Sequence, residues 1–211
     1  MKKKYLPLLI IGTILLIDQT LKFWIKTNML LGQEFVIFNW FSIYFLENEG
    51  MAFGMSFGGH TGKLILSLLR IVVVTGIIWW IYDMIRKNES RWTIAAISLV
   101  AAGALGNIID GCFYGLIFNE SGIYGHIGAQ TAQFLPESGG YAAFLHGHVV
   151  DMFYFPLFSG TFPSWLPWVG GNDFLFFRPV FNIADSAITC GVILFFILQI
   201  FEKKKEETTT A

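Results

Sequence analysis

The chain has 211 residues, of which 55% are hydrophobic and only 14% charged, with a net charge of −1. Soluble domains carry about 25% charged residues, so this is the composition of a membrane protein, and near-neutrality gives no electrostatic basis for binding nucleic acid. The two cysteines, Cys112 and Cys190, make no disulfide framework, and Cys190 lies in an apolar run where it reads as a small buried hydrophobe.

The N-terminus, MKKKYLPLLIIGTILLI, begins like a signal peptide, but DQTLKFWIK follows where a small-residue cleavage site would stand. The expectation is an uncleaved first transmembrane helix over about 5–25. The next stretch, QEFVIFNWFSIYFLEN, is aromatic and β-branched with polar Asn39 and Ser42 near its middle, which predicts a hairpin or small sheet. Two further spans are expected at about 64–85 and 92–111. The latter carries AAISLVAAGALGN, whose small residues let backbones approach closely and predict a central helix. A long segment rich in Gly, Pro and aromatics follows, including YFPLFSGTFPSWLPW, with the Trp and Tyr content of a bilayer interface. The fourth span is expected at about 180–201, and the tail EKKKEETTTA is expected to be disordered.

The fold class is therefore an all-α membrane protein of four transmembrane helices, read as one domain over 1–211 without internal repeats. With four spans, Lys2, Lys3, Lys4, Arg86, Lys87, Arg91, Lys203, Lys204 and Lys205 share one side. By the positive-inside rule that side is the cytoplasm, so both termini are inside and the loops 26–63 and 112–179 are outside.

Against this apolar background the polar residues stand out by depth. Asp18 lies 13 residues after Tyr5, roughly 20 Å into the first span. Asn107 and Asp110 close the third helix, Asp151 follows the long loop, Asn182 and Asp185 open the fourth helix, and Arg70 lies in the outer half of the second. All reach one level just under the outer surface. A single intramembrane acid reads as a hydrogen-bonded or snorkelling residue, whereas four converging on one depth point to function. Asn107/Asp110 and Asn182/Asp185 are i,i+3 pairs, so each amide is expected to hold its neighbouring carboxyl. Two carboxyls in hydrogen-bond reach share a proton; the ionised one deprotonates water while the protonated one polarises a carbonyl. That is aspartic peptidase chemistry, and spacing leaves open which two acids perform it.

Rival constellations are weaker. His146, His148 and Asp151 fall together in HGHVVD, but no HExxH stands in the chain and no third clear ligand accompanies the histidines. No metal and no cofactor are expected. No GxSxG elbow is present, and Gly170-Gly171 precedes no helix that would cradle phosphate. Lys22, four residues after Asp18, suits an ion pair with it. Two other functional classes remain open at this point. A proton-coupled transporter would use intramembrane acids, although only Asp83 lies toward the inner side. A non-catalytic assembly factor would use the outer loops.

Four patches, in order, resemble the lipoprotein signal peptidase (signal peptidase II) family of bacteria. DQTLKFWIK is similar to its DxxxK segment, and ENEGMAFGM to NxGxAFG, matching Asn48, Gly50, Ala52, Phe53 and Gly54. GALGNIID is similar to GxxxGNxxDR, and HVVDMFYF with FNIADSAITCG to the paired VVDF and FNxADxxIxxG segments. The resemblance spans essentially the whole chain. It implies four membrane helices with a small extracytoplasmic β-cradle, a monomer in the inner membrane among its lipids, and cleavage of diacylglyceryl-modified prolipoproteins before the lipidated cysteine. It further implies Asp151 and Asp185 as the catalytic dyad, with Asp18, Lys22, Asn48, Gly54, Asn107, Asp110 and Asn182 supporting the dyad or the substrate.

Two departures accompany the likeness. Gly111 stands where the family pattern has arginine, so that interaction is absent or supplied elsewhere, with Arg70 and Arg178 as candidates. Residues 112–147 look like an insertion between Asp110 and Asp151, acting as a lid, a docking surface or a passive excursion.

Overall fold

The computed structural model describes residues 3–49, 59–176 and 179–210. Four of its helices are long and apolar enough to cross a membrane. They are α1 (Leu6–Asn28), α2 (Gly59–Arg86), α3 (Arg91–Ile109) and α5 (Ile183–Thr210), with a short helix α4 (Gly115–Ile117) between the last two. Helix α3 occupies the centre: half of its most apolar stretch is buried within the protein, against 11–17% for the other three. The small residues explain how. A Cβ on Gly103 would stand 2.1 Å from the Ala184 carbonyl oxygen of α5, and one on Gly191 would stand 2.6 Å from the Ala96 carbonyl oxygen. The α3–α5 crossing is thus a backbone-to-backbone contact that any side chain at Gly103 would force apart.

The aromatic stretch after α1 forms the predicted hairpin, β1 (Glu34–Phe38) and β2 (Phe41–Asn48). With β3 (Val149–Tyr154) and β6 (Val180–Phe181) it makes an antiparallel sheet of order β1-β2-β3-β6. A second hairpin, β4 (Phe158–Thr161) with β5 (Asp173–Phe176), branches off between β3 and β6. Strand β3 is held on both edges: Leu46 pairs with Asp151 on one side, and Phe181 with Phe153 on the other. Residue 151 therefore sits in a central strand, next to the point where the chain enters α5.

Three expectations are corrected. The helical run of α3 does not stop at 111 but continues through a π-helical turn at Asp110–Tyr114 into α4. Cys190 is exposed on the flank of α5 rather than buried, because the crossing with α3 is occupied by Ala184, Ala187 and Gly191; both cysteines are free thiols. The tail continues α5 to Thr210: Lys and Glu are good helix formers, and extending an existing helix needs no new nucleus.

Residues 112–147, expected as a lid, a docking surface or a passive excursion, pack against the rest of the protein. Tyr114, Phe118 and Ala132 share one core with Ile25 and Met29 of α1, Phe45 of β2, and Val150 and Met152 of β3. Leu31 donates to the Gly122 carbonyl at 2.9 Å, and Tyr124 donates back to Leu31 at 2.9 Å. The insertion is a wall of the sheet's underside.

Candidate active site

The site has two tiers, joined by Asn107. The lower tier lies between α1 and the end of α3. Lys22 is fully buried and forms ion pairs with Asp18 at 2.9 Å and Asp110 at 2.7 Å, while donating to Asn107 Oδ1 at 3.0 Å. Gln19 adds hydrogen bonds to Asp110 at 2.8 Å and Asp18 at 3.1 Å. Both carboxylates also hold backbone, Asp18 through its second oxygen and Asp110 through the oxygen that faces Lys22. Asp18 accepts from Ala184 N at 2.9 Å, and Asp110 from Val150 N at 3.3 Å. These acids thereby fix α5 and β3, the two elements that carry the other two.

The upper tier is centred on Asn182, which is fully buried. Its side-chain amide donates to Asp151 Oδ1 at 2.7 Å, to the Val150 carbonyl at 3.3 Å and to Asn107 Oδ1 at 3.2 Å. Its carbonyl oxygen accepts from Asp185 N at 2.8 Å, and its backbone N–H donates to Asp185 Oδ2 at 3.3 Å. This is a capping box on the first turn of α5. Asn107 Nδ2 donates to the other Asp185 oxygen at 2.8 Å, and Asn48 Nδ2 approaches Asp151 Oδ2 at 3.4 Å.

The expected pairing of each amide with its own neighbour is corrected on both helices. The Asn107 amide holds Asp185 across the helix crossing, not Asp110, because Lys22 and Gln19 already engage Asp110. The Asn182 amide holds Asp151 of the sheet, while Asp185 is held by the Asn182 backbone.

Asp18, Lys22, Asn48, Asn107, Asp110, Asp151, Asn182 and Asp185 all join this one network. Gly54, with Gly50, Ala52, Phe53 and Arg178, lies outside the described residues. Burial pushes the Asp151 carboxyl up to about 7, helped by the nearby Asp185 charge and opposed by the Asn48 and Asn182 hydrogen bonds and the more distant Lys22 charge. One member of the pair is therefore set to hold a proton near neutrality. Beside Asn107 lies a small cleft lined by Ser67 and Arg70 of α2, Asn107 and Ile108 of α3, and Gly111 and Cys112 of the π-helical turn.

Sequence reasoning missed Gln19, and it missed a second buried polar cluster entirely. Lys26, 1% exposed, pairs with Glu47 at 2.5 Å, donates to Ser121 at 3.0 Å and lies over the ring of Tyr141. His148 closes the cluster through Glu47 at 3.0 Å, so it serves a carboxylate; His146 instead contacts the Phe144 carbonyl. One signal was available: Asp18, Lys22 and Lys26 recur every four residues, a polar stripe down one face of an otherwise apolar helix.

Residues 10–201 match the family model described as Signal peptidase (SPase) II. A lipoprotein signal peptidase of Porphyromonas gingivalis (strain ATCC 33277) is 50% identical over 189 residues, covering 89% of this chain and 80% of the relative. One from Amoebophilus asiaticus (strain 5a2) is 39% identical over 182 residues, covering 84% and 70%. A bacterial membrane enzyme solved by the in meso method at 2.3 Å resolution superposes with a TM-score of 0.59 at 25% identity, covering 94% of this chain and 90% of that one.

Proposed function

The chain belongs to the signal peptidase II family of membrane peptidases, and on that premise we propose that it is an aspartic endopeptidase that frees diacylglyceryl-modified prolipoproteins of their signal peptides. Asp151 and Asp185 are its dyad, and the cut falls just before the lipidated cysteine. The observation that carries this reading is the suspension of both carboxylates from the single residue Asn182. The arrangement keeps two acids together in a setting that favours one shared proton. Asp151, with its carboxyl near 7, holds the proton and polarises the scissile carbonyl. The Asp185 carboxylate takes a proton from water, which attacks that carbonyl; the tetrahedral intermediate collapses as the leaving amine is protonated.

The reading places both termini in the cytoplasm of a bacterial inner membrane, with the dyad near the outer leaflet and the signal helix entering sideways from the bilayer. The apolar flanks of the helices and the exposed Trp165 and Trp168 between β4 and β5 suit that placement. A proton path to the inner side has less support, since Asp83 lies at the far end of α2, paired with Lys87 at 2.7 Å.

The test is cleavage of a purified diacylglyceryl prolipoprotein in detergent by the wild type, Asp151→Asn and Asp185→Asn, each checked for folding. Cleavage by the wild type alone is expected. A folded variant that still cleaves would displace that residue from the dyad, and a wild type that never cleaves would remove the peptidase reading.

A further inference from the structure

An arginine inside a membrane helix is costly and calls for a partner or a task. Arg70 lies 11 residues into α2, well inside the span. It lines the cleft beside Asn107, the residue whose amide donates to Asp185 at 2.8 Å. Burial weighs against its charge, and Asp185 and then Asp151 lie within electrostatic reach of its guanidinium. Gly111 lines the same cleft from the π-helical turn, and a Cβ there would meet nothing within 4 Å. The position where the family pattern carries arginine is thus open space, facing a cleft to which another helix has brought an arginine.

The charges around the dyad make the assignment specific. Lys22 on α1 acts on Asp151 from a distance but is paired directly with Asp18 and Asp110, two acids of its own tier. A dyad that shares one proton keeps one negative charge, and among the described residues that line the cleft Arg70 on α2 is the cation. Cys112 is the other titratable group among the described residues that line the cleft. We propose that Arg70 is a positioning residue of the aspartic dyad, holding its single negative charge at Asp185 from α2 and so replacing a cation at position 111. The proposal rests on the peptidase reading.

Loss of this cation makes the dyad's anion less favourable, so both macroscopic proton losses of the pair move to higher pH. The acid limb of kcat/KM moves most, because the first ionisation creates the charge that Arg70 faces. The test uses the full chain in detergent with a diacylglyceryl prolipopeptide, comparing wild type, Arg70→Gln, Arg70→Lys, and Arg70→Gln combined with Gly111→Arg. In Arg70→Gln the acid limb is expected to rise by about one pH unit, with kcat carrying the loss below it and KM nearly unchanged. Arg70→Lys keeps the limb near its wild-type place, and the Gly111→Arg combination returns it. An unmoved limb, or a loss confined to KM, overturns the proposal.

Should Arg70→Gln fail to fold, Gly111→Arg in the otherwise unaltered chain decides. The added cation is expected to lower the acid limb, and an unmoved limb again overturns the proposal. Infrared titration of the carboxyl bands, assigned with Asp151→Asn and Asp185→Asn, reads the same shift without turnover. A wild type that never cleaves would therefore defeat the peptidase reading while leaving the role of Arg70 separately decided.

Discussion

Asn182 and Asp185 exchange hydrogen bonds across the first turn of α5, Asp185 N to the Asn182 side chain at 2.8 Å and Asn182 N to the Asp185 carboxylate at 3.3 Å. The helix cap and the Asp185 carboxylate are one structure. The cap fixes the rotamer of Asp185, while the amide end of Asn182 reaches out to Asp151 at 2.7 Å. The two duties are separable. Asn182→Ala removes both, and is expected to cost about 1 kcal/mol of stability and at least about 100-fold in kcat/KM. Asn182→Ser restores a capping oxygen without the amide. Thermal unfolding should then recover toward wild type while activity stays low. Recovery of full activity in the serine variant would refute the bridging role.

Asp151 ties activity to stability through pH. Its carboxyl lies near 7 in the folded protein, above its ordinary value of 3.8, chiefly through burial. A folded state that holds this proton more tightly than the unfolded chain gains stability from it at low pH. That gain is lost as pH rises from about 4 to about 7. Asp151→Asn keeps the shape and cannot ionise. The variant should unfold at a higher temperature than wild type above pH 7 and at a similar temperature near pH 4, while being inactive throughout. The wild-type kcat/KM should fall on its alkaline side within about a unit of pH 7 as the shared proton leaves. Equal unfolding temperatures at all pH values would show that the fold does not hold the Asp151 proton more tightly than the unfolded chain.

Much of this was legible in the sequence, for identifiable reasons. The spans are long apolar runs, and the AAISLVAAGALGN run marks α3 as central because only small residues permit its approach to Ala184. That Asp18 comes level with the end of α3 follows from helical rise. The partners of the acids do not, because which amide meets which carboxyl depends on how three helices and a strand cross. Asn107 reaches Asp185 and not Asp110 only because Lys22 arrives from another helix. The cluster at Lys26 was hidden for a related reason: Glu47, Ser121 and Tyr141 come from segments with no local periodicity linking them.

Lys22 is the counter-charge of the lower tier, and its removal should be worse than its retention is good. Lys22→Met leaves Asp18 and Asp110 buried with no cation between them. Breaking such a pair costs about 3–5 kcal/mol, most of it from the uncompensated charge left behind. Thermal unfolding of Lys22→Met should show a large drop, and adding Asp18→Asn and Asp110→Asn should recover part of it. A triple variant less stable than Lys22→Met would mean the acids serve stability without their cation.

Glu47 anchors the wall formed by residues 112–147. Burial acts to raise its carboxyl, but the His148, Lys26 and Ser121 contacts outweigh it and hold the group at about 2. A carboxyl held below its ordinary 4.5 stabilises the fold above that pH, and the contribution is lost as pH falls toward 2. Glu47→Gln should therefore lose stability at pH 7, and the gap to wild type should shrink below about pH 4.5. Limited proteolysis should find its new cuts between Asn119 and Tyr141, since Ser121 loses its charged partner. New cuts confined to other loops would place the anchor elsewhere.

Gly103 sets the position of Asp185 without touching it. A methyl group there would stand 2.1 Å from the Ala184 carbonyl oxygen and 2.7 Å from Ile188 Cγ1, so α5 must move away from α3. Ala184 immediately precedes Asp185, and its N–H is the group held by Asp18 at 2.9 Å. A displacement of about 1 Å at a reacting group costs about 100-fold in rate, so Gly103→Ala should lower kcat/KM by about that factor. Gly76→Ala on α2 is the matched control. A Cβ there meets nothing within 4 Å, and alanine is favoured over glycine in a helix by about 1 kcal/mol. The control should keep its activity and unfold no earlier than wild type. Equal activities of the two variants would mean that the α3–α5 contact tolerates a side chain and does not fix the dyad.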